Sequence, residues 1–213
     1  MDFVVLSSSR GTTFQAVIDA MKNGSLEARC LGLIADREER GCVAKARSAG
    51  VPVKIVDRVK GEEREAYDRR LNEAIGVLGL APPTPGPSPT GGGGARSEGV
   101  LACLGWMFLF SPWFVKKWHK RILNVHPSLL PKYPGGHAVE DALKAGDRET
   151  GMSIHWIDEG VDTGEILVQK KCSIEKGDTV DSLKARIQDL EKIWYPWVLQ
   201  DLETEKLKME NGK

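Results

Sequence analysis

The feature that most constrains the fold is an alternation of short apolar runs with amphipathic segments in the first third of the chain. The runs have the length and composition of strands buried on both faces, and each segment spaces its apolar residues as a helix does. In order along the chain they occupy residues 3–6, 14–21, 30–35, 43–49, 53–56 and 62–75. Strands that alternate with helices favour a parallel sheet with right-handed crossovers, so the sequence predicts an open α/β fold.

The remainder of the chain extends this pattern and then changes it. Two further strands are predicted at 100–104 and 121–125, followed by a short helix at 138–145. The segments 152–157 and 166–170 have strand character and are joined by a tight turn, which favours antiparallel pairing. The last predicted helix covers 179–202 and is expected to be interrupted or kinked at Pro196. The sheet is therefore predicted to be mostly parallel, with helices on both faces and an antiparallel C-terminal strand pair.

Residues 81–99 differ sharply in composition from their surroundings. The stretch is rich in proline and then in glycine, with four consecutive glycines at 91–94. Such a segment cannot bury enough apolar surface to offset its ordering entropy. We predict a flexible insert within a single domain spanning 1–213, because neither flanking piece carries enough strands to fold alone.

Charge, cysteine and hydropathy patterns narrow the function classes. Thirty basic and thirty acidic side chains leave a formal net charge of zero, which gives no electrostatic footprint for nucleic acid or an anionic membrane. The start of the chain lacks the pattern of a signal peptide, and no apolar run approaches the ~18 residues of a membrane span. The four cysteines have neither disulfide-scaffold nor zinc spacing and are expected to be reduced. A cytoplasmic protein with no nucleic-acid or membrane partner is predicted.

Two polar segments stand where an α/β sheet places ligand sites. The loop 7–13 follows the first strand and opens a helix, so Gly11, Thr12 and Thr13 could hold a phosphate or could simply cap the helix. Asn124 and His126 lie two residues apart near the end of a strand, which directs both side chains to one face. An amide and an imidazole side by side can hold a developing oxyanion.

Asp162 is the third polar candidate and lies in the turn between the two late strands. A turn aspartate most often serves only to form the turn. A functional carboxylate would instead be held near Asn124 and His126, with its pKa raised by partial burial. Spacing alone does not decide between these two readings.

The segments NVHPSLLPKYPGGH (124–137) and SIHWIDEGVDTGEIL (153–167) resemble the folate-dependent formyltransferases. The resemblance covers nearly the whole chain apart from the Pro/Gly-rich insert, and within the family it is strongest to the enzymes of purine synthesis. It implies an open, mostly parallel Rossmann-like sheet. It also implies transfer of the formyl group of 10-formyltetrahydrofolate, as co-substrate, to the amine of glycinamide ribonucleotide, without a metal.

The resemblance also assigns catalytic roles to residues of this chain. The family's Asn, His and Asp triad falls on Asn124, His126 and Asp162. Asn124 and His126 would stabilise the oxygen of a tetrahedral intermediate, with His126 protonated while it does so. Asp162 would align His126 and help carry the amine proton toward the folate nitrogen. His137 and Ser153 are expected to support this triad.

Substrate contacts follow from the same resemblance. The nucleotide would be held at its phosphate by the 11–13 loop and at its ribose and glycinamide by Gln188 and Glu191, neighbours on the last helix. Without the resemblance, these two would be read as an ordinary solvated helix face, and Arg64 as a surface cation. The folate would lie against the 105–110 loop and the 158–162 turn. The residues implied to contact folate are Arg64, Met107, Phe108, Leu109, Asp158 and Val161.

The chain departs from the family pattern at three places. The folate loop reads Gly-Trp-Met-Phe at 105–108, where the family usually has Gly-Phe-Met-Arg, so a cation is lost at Phe108. Thr13 stands where asparagine is common. The insert precedes the same strand that leads into the folate loop. None of these departures touches the predicted triad.

Other activities of the family remain as alternatives. They are transfer to another amine such as that of a sugar nucleotide, formyltetrahydrofolate hydrolysis, and a folate- or nucleotide-binding homologue with impaired catalysis. Transfer to a tRNA is disfavoured by the zero net charge. The predicted partners are therefore small-molecule substrates, and the protein is expected to be a monomer or a homodimer. Leu130-Pro131 is predicted as a candidate cis peptide bond, because it lies in a tight loop beside the site.

Overall fold

The computed structural model describes residues 1–83 and 97–211. Its contacts divide the chain into two compact units. The first comprises Met1–Gly11 and Ala28–Ile122, and the second Thr12–Glu27 and Leu123–Lys213. The central part of the predicted insert, residues 84–96, lies outside the described residues. The prediction of a single domain over 1–213 stays a prediction.

The first unit contains five strands and three helices among its described residues. The strands are β1 (Asp2–Ser7), β2 (Arg29–Ala35), β3 (Val53–Ile55), β4 (Leu80–Ala81) and β5 (Ser97–Cys103), and the helices are α2 (Gly41–Ser48), α3 (Arg64–Val77) and α4 (Pro112–Lys117). The strands pair in the order β3-β2-β1-β5, with β4 against β5, and every one of these pairs is parallel. β1 is buried along its whole length, and its central residues 3–6 are all apolar, as a strand covered on both faces requires.

The second unit contains the C-terminal strands and the remaining helices. Its elements are α1 (Thr12–Lys22), β6 (Ile122–His126, of which Leu123–His126 belong to this unit), α5 (Ala138–Ala145), β7 (Glu149–Trp156), β8 (Ile166–Ser173) and α6 (Val180–Asn211). β6 pairs with β7 and β7 with β8, both antiparallel. The predicted fold class is thus confirmed. The N-terminal strands are parallel and alternate with helices, and the last two strands, β7 and β8, form the predicted antiparallel pair.

Three local predictions need correction. Ala81 and Ser97–Gly99 belong to strands β4 and β5, so the ends of the predicted insert lie within paired backbone. α6 is not interrupted at Pro196, because the nearby side chains of Tyr195 and Val198 are buried and hold the helix in place; the alternative of a kink at Pro196 stays a prediction. Helix α4 was not predicted, although Ser111 caps it by accepting from the N–H of Phe114, with Pro112 at its first position.

Two further expectations are confirmed. All four cysteines are free thiols, and burial raises the pKa of each of them. Leu130-Pro131 is a cis peptide bond. Across the described part of the chain, no helix combines the length and the apolar character that crossing a membrane requires.

Candidate active site

Strand β6 presents Asn124 and His126 on the same face, as their two-residue spacing predicts. In the register with β7, Asn124 lies opposite His155 and His126 opposite Ser153. Asn124 is half-buried and His126 is almost fully buried. Four polar side chains therefore meet at the carboxyl end of β6.

The turn after β7 brings Asp162 to this group. Its Oδ2 atom accepts a hydrogen bond from the N–H of Gly135 at 2.8 Å and lies 3.3 Å from Nδ1 of His126. Its backbone has a φ of 54°, a left-handed conformation that aspartate and asparagine adopt more readily than most residues. The structure thus brings all three predicted triad residues together within the second unit.

The His126 ring is fixed by contacts at both nitrogens. Nε2 lies 2.8 Å from the carbonyl oxygen of Tyr133. Since a carbonyl only accepts, Nε2 carries a hydrogen and donates it, which leaves Nδ1 facing the Asp162 carboxylate. Burial lowers the pKa of His126, and this effect outweighs the opposing influences of Asp162 and the Tyr133 carbonyl. The resting imidazole is therefore mostly neutral at pH 7, with the lone pair of Nδ1 available to a proton.

The electrostatics of Asp162 differ from the expectation. Burial by itself raises the pKa of this carboxyl, as predicted. The imidazole of His155, the N–H of Gly135 and the charge of His126 lower the pKa, and their combined effect is larger than that of burial. The net pKa lies below its usual value, so the prediction of a raised pKa is wrong. Asp162 is a stable anion beside His126.

His155 is a site residue that the sequence reasoning missed. Its ring is almost completely buried, and Nε2 lies 3.2 Å from Nδ2 of Asn124 and 3.5 Å from Oδ1 of Asp162. Nδ1 donates to the carbonyl of Trp156 at 3.0 Å, which fixes the orientation of the ring and turns Nε2 toward Asn124 and Asp162. The signal was available, because Ser153 and His155 are two polar residues at alternate positions of the predicted strand 152–157, whose other residues are apolar.

Ser153 supports the loop that follows His126. Its fully buried hydroxyl donates to the carbonyl of Ser128 at 2.7 Å and accepts from the N–H of Leu130 at 3.0 Å. Gln169 of β8 donates to both Ser153 Oγ and the carbonyl of Leu130. These bonds fix the path of residues 126–131, which is the supporting role expected of Ser153.

We expect Ser153→Ala to lower the free energy of unfolding by about 1–3 kcal/mol, because the substitution leaves buried backbone groups of Ser128 and Leu130 without a partner. Denaturant unfolding of both proteins measures the difference. Ser173→Ala is the matched control, since Ser173 is exposed on β8. Equal stability of the Ser153 and Ser173 variants would show that the Ser153 hydroxyl does not hold the loop.

His137 does not take the role expected for it. Its side chain is 76% exposed, and Nδ1 pairs with Glu140 of α5 at 3.0 Å. The residue precedes α5 directly, so the helix that begins at Ala138 directs it toward Glu140 and not toward His126. The prediction that His137 supports the triad is therefore contradicted by this geometry.

The structure joins two of the residues predicted to hold the nucleotide. The hydroxyl of Thr13 donates to Oε2 of Glu191 at 2.7 Å, and Glu191 is only 8% exposed. Burial raises the pKa of Glu191 to about 7, while the Thr13 hydrogen bond works in the opposite direction. The Thr13 hydroxyl thus donates a hydrogen bond to Glu191, and its predicted contact with a phosphate stays a prediction. Gln188 is half-buried three residues earlier on α6.

The raised pKa of Glu191 predicts a pH-dependent stability. Because its folded pKa, about 7, exceeds the ordinary value of 4.5, the folded state loses stability as pH rises from about 4.5 to about 7. Glu191→Gln is neutral at every pH, so its stability relative to the wild type should rise across this interval. Unfolding at pH 4.5 and pH 7.5 measures the change, with the exposed Glu149→Gln as control. A constant difference at both pH values contradicts the expectation.

Position 11, in the first unit, has a backbone conformation and a close neighbour that only glycine accommodates without strain. Its φ is 76°, and a Cβ at this position would approach Cα of Cys42 to 2.8 Å. Its N–H donates to Oγ of Ser9 at 3.1 Å. Thr12 begins helix α1. The loop therefore has the close backbone packing of a helix start that the sequence indicates.

The residues implied to contact folate fall in both units. In the first unit, Met107 and Leu109 are more than half exposed, and Arg64 is exposed at the start of α3. Phe108 is half-buried, with its ring centroid 5.3 Å from that of Trp106 and 5.8 Å from that of Tyr67.

In the second unit, Val161 is 47% exposed. Asp158 accepts from the N–H of Gly160 and from the hydroxyl of Thr163, so its carboxylate helps to shape its own turn. Within residues 1–83 and 97–211, no cluster of three or more His, Cys, Asp and Glu side chains is arranged to hold a metal ion.

The sequence of this chain is similar to those of known formyltransferases. A family profile described as formyl transferase matches residues 95–199. Phosphoribosylglycinamide formyltransferase of Escherichia coli strain K12 is 34% identical over 212 residues, which is all of this chain and 92% of that protein. The protein of the same name from Bacillus subtilis strain 168 is 28% identical, with 94% of this chain and 93% of that protein covered.

Solved structures of formyltransferases are also similar to the fold of this chain. A glycinamide ribonucleotide transformylase from Symbiobacterium toebii superposes with a TM-score of 0.82 at 31% identity, covering 94% of this chain and 86% of that one. A phosphoribosylglycinamide formyltransferase from Bacillus halodurans also gives 0.82 at 31% identity, covering 95% of each chain.

Proposed function

Since this chain belongs to the formyl transferase family, we propose that it transfers the formyl group of 10-formyltetrahydrofolate to the amine of glycinamide ribonucleotide, a step of purine synthesis. The observation that carries the proposal is the contact of Asp162 with His126 beside Asn124, in a buried site of the second unit. The names of relatives matched over nearly their full length support the choice of acceptor.

The geometry supports a sequence of steps for the transfer. The neutral amine of the acceptor attacks the formyl carbon, forming a C–N bond and placing negative charge on the formyl oxygen. Asn124 donates one amide N–H to that oxygen, while its contact with His155 holds the amide in place. Nδ1 of His126 accepts the proton that the amine loses.

Collapse of the intermediate completes the reaction. The bond between the formyl carbon and the folate nitrogen breaks, and that nitrogen receives the proton from His126 through water. Asp162 stabilises the imidazolium between these two proton transfers, because its carboxylate lies 3.3 Å from Nδ1. The expected protonated form of His126 is thus proposed to arise during turnover from a neutral resting ring.

The proposal assigns the other predicted residues as follows. Glu191 and Gln188 contact the glycinamide and ribose, and the backbone at Gly11, Thr12 and Thr13 receives the phosphate. The folate contacts are Arg64, Met107, Phe108 and Leu109 of the first unit and Asp158 and Val161 of the second. A cytoplasmic location and a monomeric or homodimeric state stay predictions.

Glu191→Gln tests the contact with the acceptor. Because the pKa of Glu191 is about 7, its carboxylate form dominates at pH 8. The neutral amide of glutamine cannot form the charge-assisted hydrogen bond of that carboxylate to the acceptor amine, so at pH 8 we expect kcat/KM for glycinamide ribonucleotide to fall about tenfold or more. The effect should appear in KM for the acceptor and not in KM for folate. A change confined to the folate KM would remove Glu191 from the acceptor site.

The experiment that tests the function measures formyl transfer from 10-formyltetrahydrofolate to glycinamide ribonucleotide, with a control that lacks the acceptor. Transfer that requires the acceptor supports the proposal. Release of formate in the control, with no transfer, would replace it by hydrolysis. Absence of both reactions with this acceptor would overturn the proposal.

A further inference from the structure

The carbonyl oxygen of Tyr133 lies outside the proposed triad but determines which nitrogen of His126 carries the hydrogen. It lies 2.8 Å from Nε2 of that ring and is the acceptor that keeps the hydrogen there. The Asp162 carboxylate, 3.3 Å from Nδ1, favours the other neutral tautomer, with the hydrogen on Nδ1. The two acceptors therefore compete for the single N–H of the neutral ring. Only the tautomer that Tyr133 favours leaves Nδ1 free to take a proton.

The backbone at Tyr133 needs support from outside its own loop. Its φ is 54°, a left-handed conformation that a bulky residue such as tyrosine rarely adopts. The hydroxyl of Ser128 lies 2.5 Å from the carbonyl of Lys132 and 3.4 Å from that of Tyr133. A hydroxyl has one hydrogen to donate, and the shorter contact takes it, so Ser128 holds the Tyr133 carbonyl only weakly.

Asp147 provides this support from beyond helix α5. It follows Gly146, the left-handed residue at which that helix ends. Its Oδ2 atom accepts from Nζ of Lys132 and from the phenol of Tyr133, each at 3.0 Å. These two hydrogen bonds and the charge of Lys132 lower the pKa of Asp147, so the acceptor is an anion at neutral pH. The Asp147 carboxylate thus fixes the side chain of the residue whose carbonyl faces His126.

We propose that Asp147 is a positioning residue for formyl transfer: it holds the Tyr133 phenol so that the Tyr133 carbonyl keeps the hydrogen of His126 on Nε2. The inference rests on the proposed function, because it takes Nδ1 of His126 as the group that receives the proton of the acceptor amine. The effect of Asp147 passes through the phenol and the carbonyl of one residue, and not through a contact with the reacting atoms.

The direct test reads the tautomer of His126 by NMR of its ring nitrogens, with His126→Ala to assign the signals. At pH 8 the ring is neutral, because its pKa lies below the ordinary histidine value. In the wild type, Nε2 should carry the hydrogen. Asp147→Ala and Tyr133→Phe should each convert a measurable share of the rings to the Nδ1–H form, because the Asp162 carboxylate is then the stronger acceptor. Asp147→Asn keeps an acceptor oxygen for the phenol and should retain most of the wild-type tautomer.

Kinetics give a second readout. One hydrogen bond of ordinary strength corresponds to about three- to tenfold, so kcat for formyl transfer should fall by about that factor in Asp147→Ala and in Tyr133→Phe. Both KM values should stay within about twofold of the wild type, and the double variant should lose little more than either single one. Glu149→Ala is the matched control, because Glu149 is an exposed carboxylate of the same unit that pairs with Lys171. It should keep the wild-type kcat and tautomer.

An Nδ1–H ring in the wild type, or an Nε2–H ring that persists in both Asp147→Ala and Tyr133→Phe, would overturn the inference. An equal loss of kcat in Asp147→Asn or in Glu149→Ala would also overturn it. In these cases, formyl transfer by the wild type would leave the proposed function standing. Absence of transfer by the wild type would instead count against the proposed function, whatever the tautomer of His126.

Discussion

Asp162→Asn is expected to lower kcat for formyl transfer by about 10²–10⁴-fold, with both KM values changed by no more than a few fold. The wild-type carboxylate lies 3.3 Å from Nδ1 of His126 and favours its protonated form. An asparagine amide provides no negative charge there. If its N–H turns toward Nδ1, it also occupies the lone pair that must take up the amine proton.

Asparagine is chosen because it removes the negative charge of Asp162 and preserves the structure of the turn. Asp162 has a left-handed backbone conformation, which asparagine tolerates, and an asparagine oxygen can still accept from the N–H of Gly135. Asp189→Asn is the matched control, because Asp189 is an exposed carboxylate of α6 that pairs with Lys192. Steady-state kinetics and circular dichroism of both variants separate catalysis from folding. A folded Asp162→Asn enzyme with wild-type kcat would remove Asp162 from the mechanism.

The parts of the site that could be predicted are those fixed by local geometry. The spacing of Asn124 and His126 determines that they share a face of a strand, because successive side chains alternate. The strand and helix assignments followed from apolar periodicity, and most boundaries agree to within about three residues with the observed elements. A one-dimensional pattern is sufficient for such features.

The parts that could not be predicted depend on contacts between distant segments. The pKa of Asp162 is decided by His155, Gly135 and His126 together, so burial alone gave the wrong direction. The hydroxyl of Thr13 donates to Glu191, 178 residues away, and this contact depends on the packing of α1 against α6. His137 pairs with Glu140 because it immediately precedes α5. Its position in the sequence, after two glycines, does not indicate this contact.

His126→Ala is expected to reduce kcat by at least as much as Asp162→Asn, about 10²–10⁴-fold, because it removes the group that takes the proton from the amine. His119→Ala, at an exposed histidine of the first unit, is the control and should retain wild-type kcat.

Burial lowers the pKa of His126, and only the neutral ring can accept a proton. The wild-type kcat should therefore fall as pH drops below the pKa of His126, on an acid limb whose midpoint lies below the ordinary histidine value. This limb should be absent in His126→Ala.

Combining the two substitutions distinguishes an aligned pair from two independent catalysts. If Asp162 acts through His126, the double variant should have nearly the same kcat as His126→Ala alone, since an aspartate without its imidazole has nothing to stabilise. Independent roles would make the two losses multiply, giving a further decrease of about 10²-fold or more. A multiplied loss would also fit a direct contact of Asp162 with the reacting atoms, for which its Oδ1 atom, 3.5 Å from His155, would be the candidate. We expect the non-additive result, because Oδ2 is held by the Gly135 N–H in the position that faces Nδ1 of His126.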